Sequence, residues 1–213
     1  MARPSQNIDQ RLLDSGLALL PTTGCRALSA RKLVEHAGVN LGMFHYHFQS
    51  KDNFIRILLE QMYEQMFSVL VIKSHESQSP LENLRKALQV LAHFGRRNQA
   101  LLTRVMADAM AGETVAAEFL RANIPRHIGV VGSLISEAQR AGDISKAPLT
   151  QVIAFLAGSI MVPVLLGGAL LESGMLPGTI GASLKSGVLS ERALNQRIEF
   201  ALRGLAVQPK GKL

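Results

Sequence analysis

The residues best suited to chemistry are concentrated between Gly38 and Phe54, in the stretch GVNLGMFHYHFQSKDNF. His45 and His47 could each bind a metal ion, but residues two apart on a helix point about 200° from each other, so this pair cannot share one ion. The sequence shows no paired carboxylates, nucleophile elbow or phosphate-binding glycine loop. We therefore predict no catalytic residue, no metal, no cofactor and no enzymatic activity, and we expect a binding function for this stretch. A helical enzyme stays open as an alternative, and it would need a cofactor or metal that copurifies with the rest of the chain.

Cap and stop residues divide the surroundings of this stretch into three short helices. A leucine-rich helix ends near Pro21 and Gly24, and Ser29 is a good N-cap for a second helix that stops at Gly38. Asn40 caps the third helix. Two short helices joined by a glycine-containing turn are typical of a helix-turn-helix, whose second helix enters the DNA major groove. The segment after Asn40 is thus predicted to be a recognition helix.

Several side chains in and near this helix could contact DNA. Leu41 and Met43 in its first turn can touch a thymine methyl group, whereas His45 and Tyr46 can hydrogen-bond phosphate oxygens or base edges. Lys51 begins the next helix and offers phosphate both an ammonium and a helix amino-terminus. The predicted DNA-binding residues are Ser29, Arg31, Lys32, Asn40, Leu41, Met43, His45, Tyr46 and Lys51.

Three segments, LLDSGLALLPTTG, LSARKLVEHAGV and GMFHYHFQSKDNF, follow one another at the spacing of a known family. From Leu12 to about Leu59 they resemble the DNA-binding domain of the TetR (tetracycline repressor) family. The resemblance implies an all-α homodimeric regulator, with a three-helix DNA-binding head and a larger helical body that binds an effector and dimerises through its last two helices. That family usually has Tyr at the position of His45, so either Tyr46 supplies a phosphate contact or the contact depends on pH.

The rest of the chain is predicted to be helical, because no segment alternates with a two-residue period. The predicted fold class is all-α. A TetR-type helix-turn-helix DNA-binding domain is expected over residues 5–68, and a helical effector-binding and dimerisation domain over residues 69–213. Glycine and serine enrichment predicts a long flexible loop from Glu172 to Gly187, followed by a last helix capped by Ser190.

The body also contains candidate effector-binding side chains. Methionines, phenylalanines and two histidines among apolar residues could line a mostly apolar pocket for a hydrophobic or aromatic molecule, although the same residues could be plain core. The candidates are Met62, Met66, His93, Phe94, Met106, Met110, Phe119, His127 and Phe155.

The segment from Leu149 to Leu171 carries no charge over a length that could span a bilayer. The breaker Pro163 and the lack of a flanking basic cluster argue against a span and favour a helix buried on all sides, in a subunit core or a dimer interface. A membrane-tethered DNA-binding protein is the alternative. Cys25 is the only cysteine, so no intrachain disulfide can form, and a cytoplasmic protein without a membrane partner is expected.

Charge and motif together predict the function. A formal net charge of +7 favours a polyanionic partner, either nucleic acid or an anionic membrane surface. We predict a DNA-binding transcriptional regulator whose two recognition helices enter successive major grooves of a palindromic operator. Release by a small hydrophobic or aromatic effector would make it a repressor, with activation as the open alternative.

Overall fold

The computed structural model describes residues 7–207, which form ten α-helices and confirm the predicted all-α class. The helices are α1 (Ile8–Ala27), α2 (Ala30–Ala37), α3 (Leu41–Phe48), α4 (Lys51–Lys73), α5 (Pro80–Arg97), α6 (Gln99–Met110), α7 (Thr114–Ala141), α8 (Leu149–Glu172), α9 (Gly178–Gly187) and α10 (Glu191–Leu205). The outer ends of the two predicted domains, residues 5–6 and 208–213, lie outside the described residues.

The chain divides into two compact units. Within the described residues, unit 1 comprises residues 7–64 together with Ala100–Asn123, and unit 2 comprises Gln65–Gln99 together with residues 124–207. Unit 1 therefore contains the three amino-terminal helices, the start of α4, most of α6 and the first part of α7. Its core includes the fully buried side chains of Leu12, Leu20, Leu33, Phe44 and Phe54.

Helix α1 is interrupted at Gly24, where the predicted helix end is confirmed. The backbone leaves the helical region there, with φ of 70° and ψ of 173°. Positive φ favours glycine because it has no Cβ. A Cβ at this position would also collide with the guanidinium group of Arg104 in α6.

In unit 2, helices α5, α8 and α10 pack against one another. Arg85 of α5 forms an ion pair with Glu199 of α10 at 2.7 Å. The amino end of α10 is capped as predicted, since Ser190 Oγ accepts a hydrogen bond from the N–H of Ala193 at 3.2 Å. The ion pair links α5 to α10, and the cap defines where α10 begins.

Helix α8 is buried on one side only. Val152, Leu156, Ile160 and Val164 form its buried stripe at four-residue spacing, whereas Leu166 is 60% exposed. The prediction of burial on all sides is therefore wrong within one subunit, because both faces of this helix are apolar and the sequence pattern does not distinguish them. Helix α8 is long and apolar enough to cross a membrane, and 33% of its most apolar window is buried.

The prediction of a flexible loop from Glu172 to Gly187 is also wrong, because helix α9 occupies Gly178–Gly187. Glycine and serine lower intrinsic helix propensity, but close contacts with α8 offset this loss. A Cβ built at Gly181 would lie 3.4 Å from Leu171 Cδ2, and one built at Gly167 would lie 3.7 Å from Leu184 Cδ1. The small residues allow the two helices to approach each other.

Candidate nucleic-acid interface

Helix α2 begins and ends where the sequence predicts. Ser29 Oγ accepts a hydrogen bond from the N–H of Lys32 at 3.3 Å. Gly38 follows the helix with φ of 65°, and its N–H donates to Glu35 O at 3.3 Å. The next N–H along the chain donates to Val34 O at 3.0 Å. This pair of bonds is a Schellman-type ending, in which a left-handed glycine satisfies the last carbonyl oxygens of a helix.

Arg11 holds the same turn and is absent from the predicted site residues. Its Nη2 donates to the carbonyl oxygens of Ala37 at 2.6 Å and Gly38 at 3.2 Å. A cation at a helix C-terminus also interacts favourably with the helix dipole. Arg11 therefore connects α1 to the turn before α3. No local sequence signal indicates this contact, because the partners lie 26 and 27 positions apart.

The inner side of α3 is anchored by aromatic packing. Phe44 is fully buried, and the rings of Phe44 and Phe48 lie 5.6 and 4.9 Å from the ring of Phe54 in α4. Full burial of one phenylalanine contributes roughly 1.5–3 kcal/mol. A Cβ at Gly16 of α1 would lie 2.7 Å from the Phe54 ring, so this position accepts only glycine without a shift of the ring. The packing fixes α3 against α1 and α4.

The outer side of α3 is open to solvent. The predicted cap is confirmed, because Asn40 Oδ1 accepts a hydrogen bond from the N–H of Met43 at 3.0 Å. Tyr46 is 76% exposed and Leu41 is 36% exposed, whereas Met43 is half-buried. His45 is exposed as well. The first turn of α3 and the side chains beyond it are thus accessible, as a groove-binding helix requires.

The predicted cationic residues have different surroundings. Arg31 and Lys32 are exposed on the first turn of α2. Lys51 is half-buried, and its Nζ donates to Cys25 O at 3.1 Å and to Arg26 O at 3.4 Å. An ammonium has three donors, so one donor of Lys51 remains after both carbonyl oxygens are satisfied, and the Asp52 carboxylate also lies 4.0 Å from Nζ.

Cys25 lies at the carboxyl end of α1 and is buried. Burial raises the pKa of its thiol to about 12, and the neighbouring Asp108 carboxylate acts in the same direction. Asp108 accepts the Cys25 N–H at 2.6 Å and lies 3.2 Å from Arg104 Nε. The thiol is therefore protonated at neutral pH, and α6 is attached to α1 through the backbone of Cys25.

The junction between α3 and α4 contains Gln49, the one non-glycine residue with positive φ in the described part of the chain. Its φ is 63° and its ψ is −53°, and the N–H of Ser50 donates across it to Phe48 O at 2.6 Å. These values define a γ-turn of the rare, strained form. Asn53 Nδ2 donates to the same Phe48 oxygen at 3.1 Å, and His45 Nδ1 lies 3.2 Å from Gln49 O.

The predicted effector-contacting residues do not share one environment. Met62, Met66 and Phe119 are buried, whereas His93, Phe94 and His127 are half-buried. Met106, Met110 and Phe155 are 42%, 87% and 44% exposed. Met62, Met106, Met110 and Phe119 belong to unit 1, and the other members belong to unit 2. Within residues 7–207, no group of three or more His, Cys, Asp or Glu side chains is placed to hold a metal ion.

An all-α head that presents a capped helix after a left-handed glycine turn is the geometry of a helix-turn-helix protein. Residues 12–56 match the family model described as bacterial regulatory proteins, tetR family. This match confirms, over residues 12–56, the resemblance found in the three sequence segments.

Relatives and solved structures extend this comparison. Nucleoid occlusion factor SlmA from Idiomarina loihiensis is 29% identical over 114 residues, which are 53% of this chain and 58% of that protein. The chain thus spans less than two thirds of the length of the curated relatives it matches first.

Among solved structures, the ketosteroid transcriptional regulator KstR2 of Mycobacterium tuberculosis has a TM-score of 0.71 at 17% identity, covering 94% of this chain and 95% of that chain. The transcriptional regulator FadR from Bacillus subtilis, in complex with stearoyl-CoA, has a TM-score of 0.68 at 13% identity, covering 92% and 98%. At these identities the structural similarity shows the fold.

Proposed function

We propose that the protein is a homodimeric DNA-binding transcriptional regulator that represses from a palindromic operator. The observation that carries this proposal is the accessible face of α3, which follows a rigid glycine turn and is anchored by Phe44 and Phe48. A helix presented in this way can enter the major groove without rearrangement of the head. The functional division at residues 5–68 and 69–213 belongs to the same proposal.

The exposed side chains are assigned to two kinds of DNA contact. Leu41 and Met43 contact base edges, because apolar side chains favour thymine methyl groups. Arg31, Lys32 and Lys51 contact phosphates, and Ser29 and Asn40 set the helix starts that face the backbone. His45 and Tyr46 are the remaining side chains of the proposed DNA-contacting surface.

The second copy covers the exposed apolar surface of α8 and α10. Phe155, Val162 and Leu166 of α8 are 44%, 46% and 60% exposed. Phe200 of α10 is 59% exposed, and the Phe155 ring lies 3.8 Å from the Cβ position of Gly204, so both helices contribute to one surface. The sequence pattern predicts a loop where α9 lies, so α8 and α10 are the last two helices expected from the sequence. An apolar face of this kind is typical of an obligate interface.

Release by a hydrophobic or aromatic effector completes the mechanism. The favoured contacts are the buried or half-buried candidates of unit 2, which are Met66, His93, Phe94 and His127. Two proteins with this fold support an effector with an apolar part: FadR is in complex with stearoyl-CoA, which has a long apolar acyl chain, and KstR2 is named a ketosteroid transcriptional regulator. An effector that binds the released state more tightly by roughly 2–3 kcal/mol lowers operator affinity by one to two decades.

Selection from a random duplex library tests the proposal. The wild type should enrich a palindrome with half-sites about one helical turn apart. Leu41→Glu should abolish enrichment because it places a carboxylate against the bases, whereas Met110→Glu, the same type of change at an exposed position on α6, should leave it intact. Absence of any enriched sequence with the wild type would contradict the proposal.

A membrane-tethered DNA-binding protein is the second candidate, favoured by the length and hydropathy of α8. The dimer accounts better for α8, because its exposed apolar residues lie opposite a buried stripe. A cytoplasmic dimer should be recovered without detergent after cell lysis and ultracentrifugation. Recovery in the membrane pellet, with release by detergent only, would favour the second candidate.

A further inference from the structure

The imidazole of His45 has a defined hydrogen-bonding direction. Its Nδ1 lies 3.2 Å from the backbone carbonyl oxygen of Gln49. A carbonyl oxygen can only accept a hydrogen bond, so the proton of this bond must be on Nδ1. In the neutral ring the second nitrogen, Nε2, then carries a lone pair and acts as an acceptor.

The Gln49 carbonyl is held in place by the strained turn around it. Gln49 has φ of 63° and ψ of −53°, and its oxygen lies 3.2 Å from His45 Nδ1 of α3, while the Ser50 N–H and the Asn53 side-chain amide both donate to Phe48 O. A strained conformation of this type costs about 1–3 kcal/mol and persists only where its surroundings determine it. The strained turn therefore holds the Gln49 carbonyl oxygen in place, and this oxygen sets the ring orientation and the tautomer of His45.

The acceptor nitrogen belongs to the face of α3 proposed to enter DNA. His45 is exposed and lies four residues after Leu41, so the two side chains project from the same face of the helix. A phosphate oxygen offers no hydrogen to an acceptor nitrogen, whereas the major groove offers the exocyclic amines of adenine and cytosine.

We propose that His45 is a specificity-determining residue that accepts a hydrogen bond through Nε2 from a base amine, adenine N6 or cytosine N4, in the major groove. The inference rests on the proposed function. It assigns the neighbouring phosphate contact to the hydroxyl of Tyr46, which is 76% exposed and can donate. The residue that replaces the family's usual tyrosine thus reads sequence instead of backbone.

Deletion of single amines in the selected operator tests this contact. In one half-site at a time, each adenine is replaced by purine, which lacks N6, and each cytosine by 2-pyrimidinone, which lacks N4. We expect one such change to weaken wild-type binding by about 3- to 10-fold, the size of one hydrogen bond, and to leave His45→Ala binding unchanged. An adenine or a cytosine at the sensitive position identifies the amine.

Tyr46→Phe is the matched control for His45→Ala in these measurements. It removes the phenolic hydroxyl, so it should weaken binding to all duplexes similarly while preserving sensitivity to the amine deletion. Two results would overturn the inference: no amine deletion is coupled to His45, or His45→Ala weakens all duplexes equally and reduces the salt slope, as loss of a phosphate contact does. If the library yields no enriched sequence, the proposed function fails as well.

Nuclear magnetic resonance on the DNA-free protein provides a readout that does not depend on the operator. Two-bond correlations between ring protons and ¹⁵N nuclei distinguish the two neutral tautomers. At about pH 8.5, where histidine side chains are ordinarily neutral, His45 should show a protonated Nδ1 and an unprotonated Nε2. The opposite tautomer would overturn the inference even where DNA binding is intact.

Discussion

The recognition helix α3 and the body helix α8 both expose apolar side chains, but their sequences reveal this to different extents. Leu41 of α3 lies beside the capping Asn40, and exposed His45 follows one helical turn later. Leu166 of α8 lies in a helix that is apolar on every side. Local caps and turns therefore indicate how α3 is presented, whereas only the fold reveals which face of α8 is left for a partner.

The largest expected effect is on dimerisation. Leu166→Glu places a carboxylate on the proposed interface, and two-fold symmetry places it there twice. Burial of an unpaired carboxylate is strongly unfavourable, so the dimer dissociation constant should rise by about 100-fold or more. Sedimentation equilibrium measures this change. Leu166 is already 60% exposed in one subunit, so the fold should remain intact.

Met110→Glu is the matched control for this substitution. Met110 is 87% exposed on α6, outside the proposed interface. It should leave dimerisation unchanged. A dimer that tolerates Leu166→Glu, or one that Met110→Glu dissociates, would remove α8 from the interface.

Lys51→Ala is expected to weaken binding to every DNA sequence by about 10-fold and to lower the salt slope by about one, because one phosphate contact is lost. The same change removes the donor to Cys25 O and Arg26 O, so the unfolding free energy should also fall. Fluorescence anisotropy over a salt series and urea unfolding measure the two effects. A fall in stability with an unchanged salt slope would show that the ammonium serves the fold alone.

Met43→Ala is expected to act on specificity. The preference for one base pair in each half-site should fall by about 3- to 10-fold, and the other positions should be unaffected. Met43 is half-buried at the first turn of α3, where an apolar side chain can contact a thymine methyl group. Repeating the library selection with the variant should relax preference at that position. An unchanged preference with uniformly weaker binding would assign Met43 to the core of the head.

Gln49→Gly has the smallest expected effect, an increase of about 1 kcal/mol in the free energy of unfolding. Glycine removes the strain of positive φ, and its greater freedom in the unfolded chain offsets part of the gain. Gln78→Gly is the control, because Gln78 is an exposed glutamine whose φ is not positive. That control should be neutral or destabilising. Destabilisation by Gln49→Gly would show that the turn is not strained.

The features predicted from the sequence are those with local causes. Ser29, Asn40 and Ser190 cap helices through bonds to residues three positions away, so their roles follow from residue type and spacing. Gly38 ends α2 for an equally local reason, its left-handed backbone.

Two of the features that were missed depend on contacts with other helices. Arg11 reaches carbonyls 26 and 27 positions away. Helix α9 forms from glycine-rich sequence because contacts with α8 offset its low propensity. The positive φ of Gln49 was missed as well, since glutamine carries no signal for that conformation.

The central claim is that the first turn of α3 enters the major groove, and site-directed DNA cleavage tests it most directly. Leu41→Cys introduces a thiol that an iron-chelate cleavage reagent can label, while Cys25 stays unlabelled because it is buried and its pKa is about 12. The labelled dimer should cut the selected operator at two symmetric positions about one helical turn apart, and label at Met110→Cys should not. Identical cleavage patterns from the two positions, or no cleavage within the operator, would contradict the account.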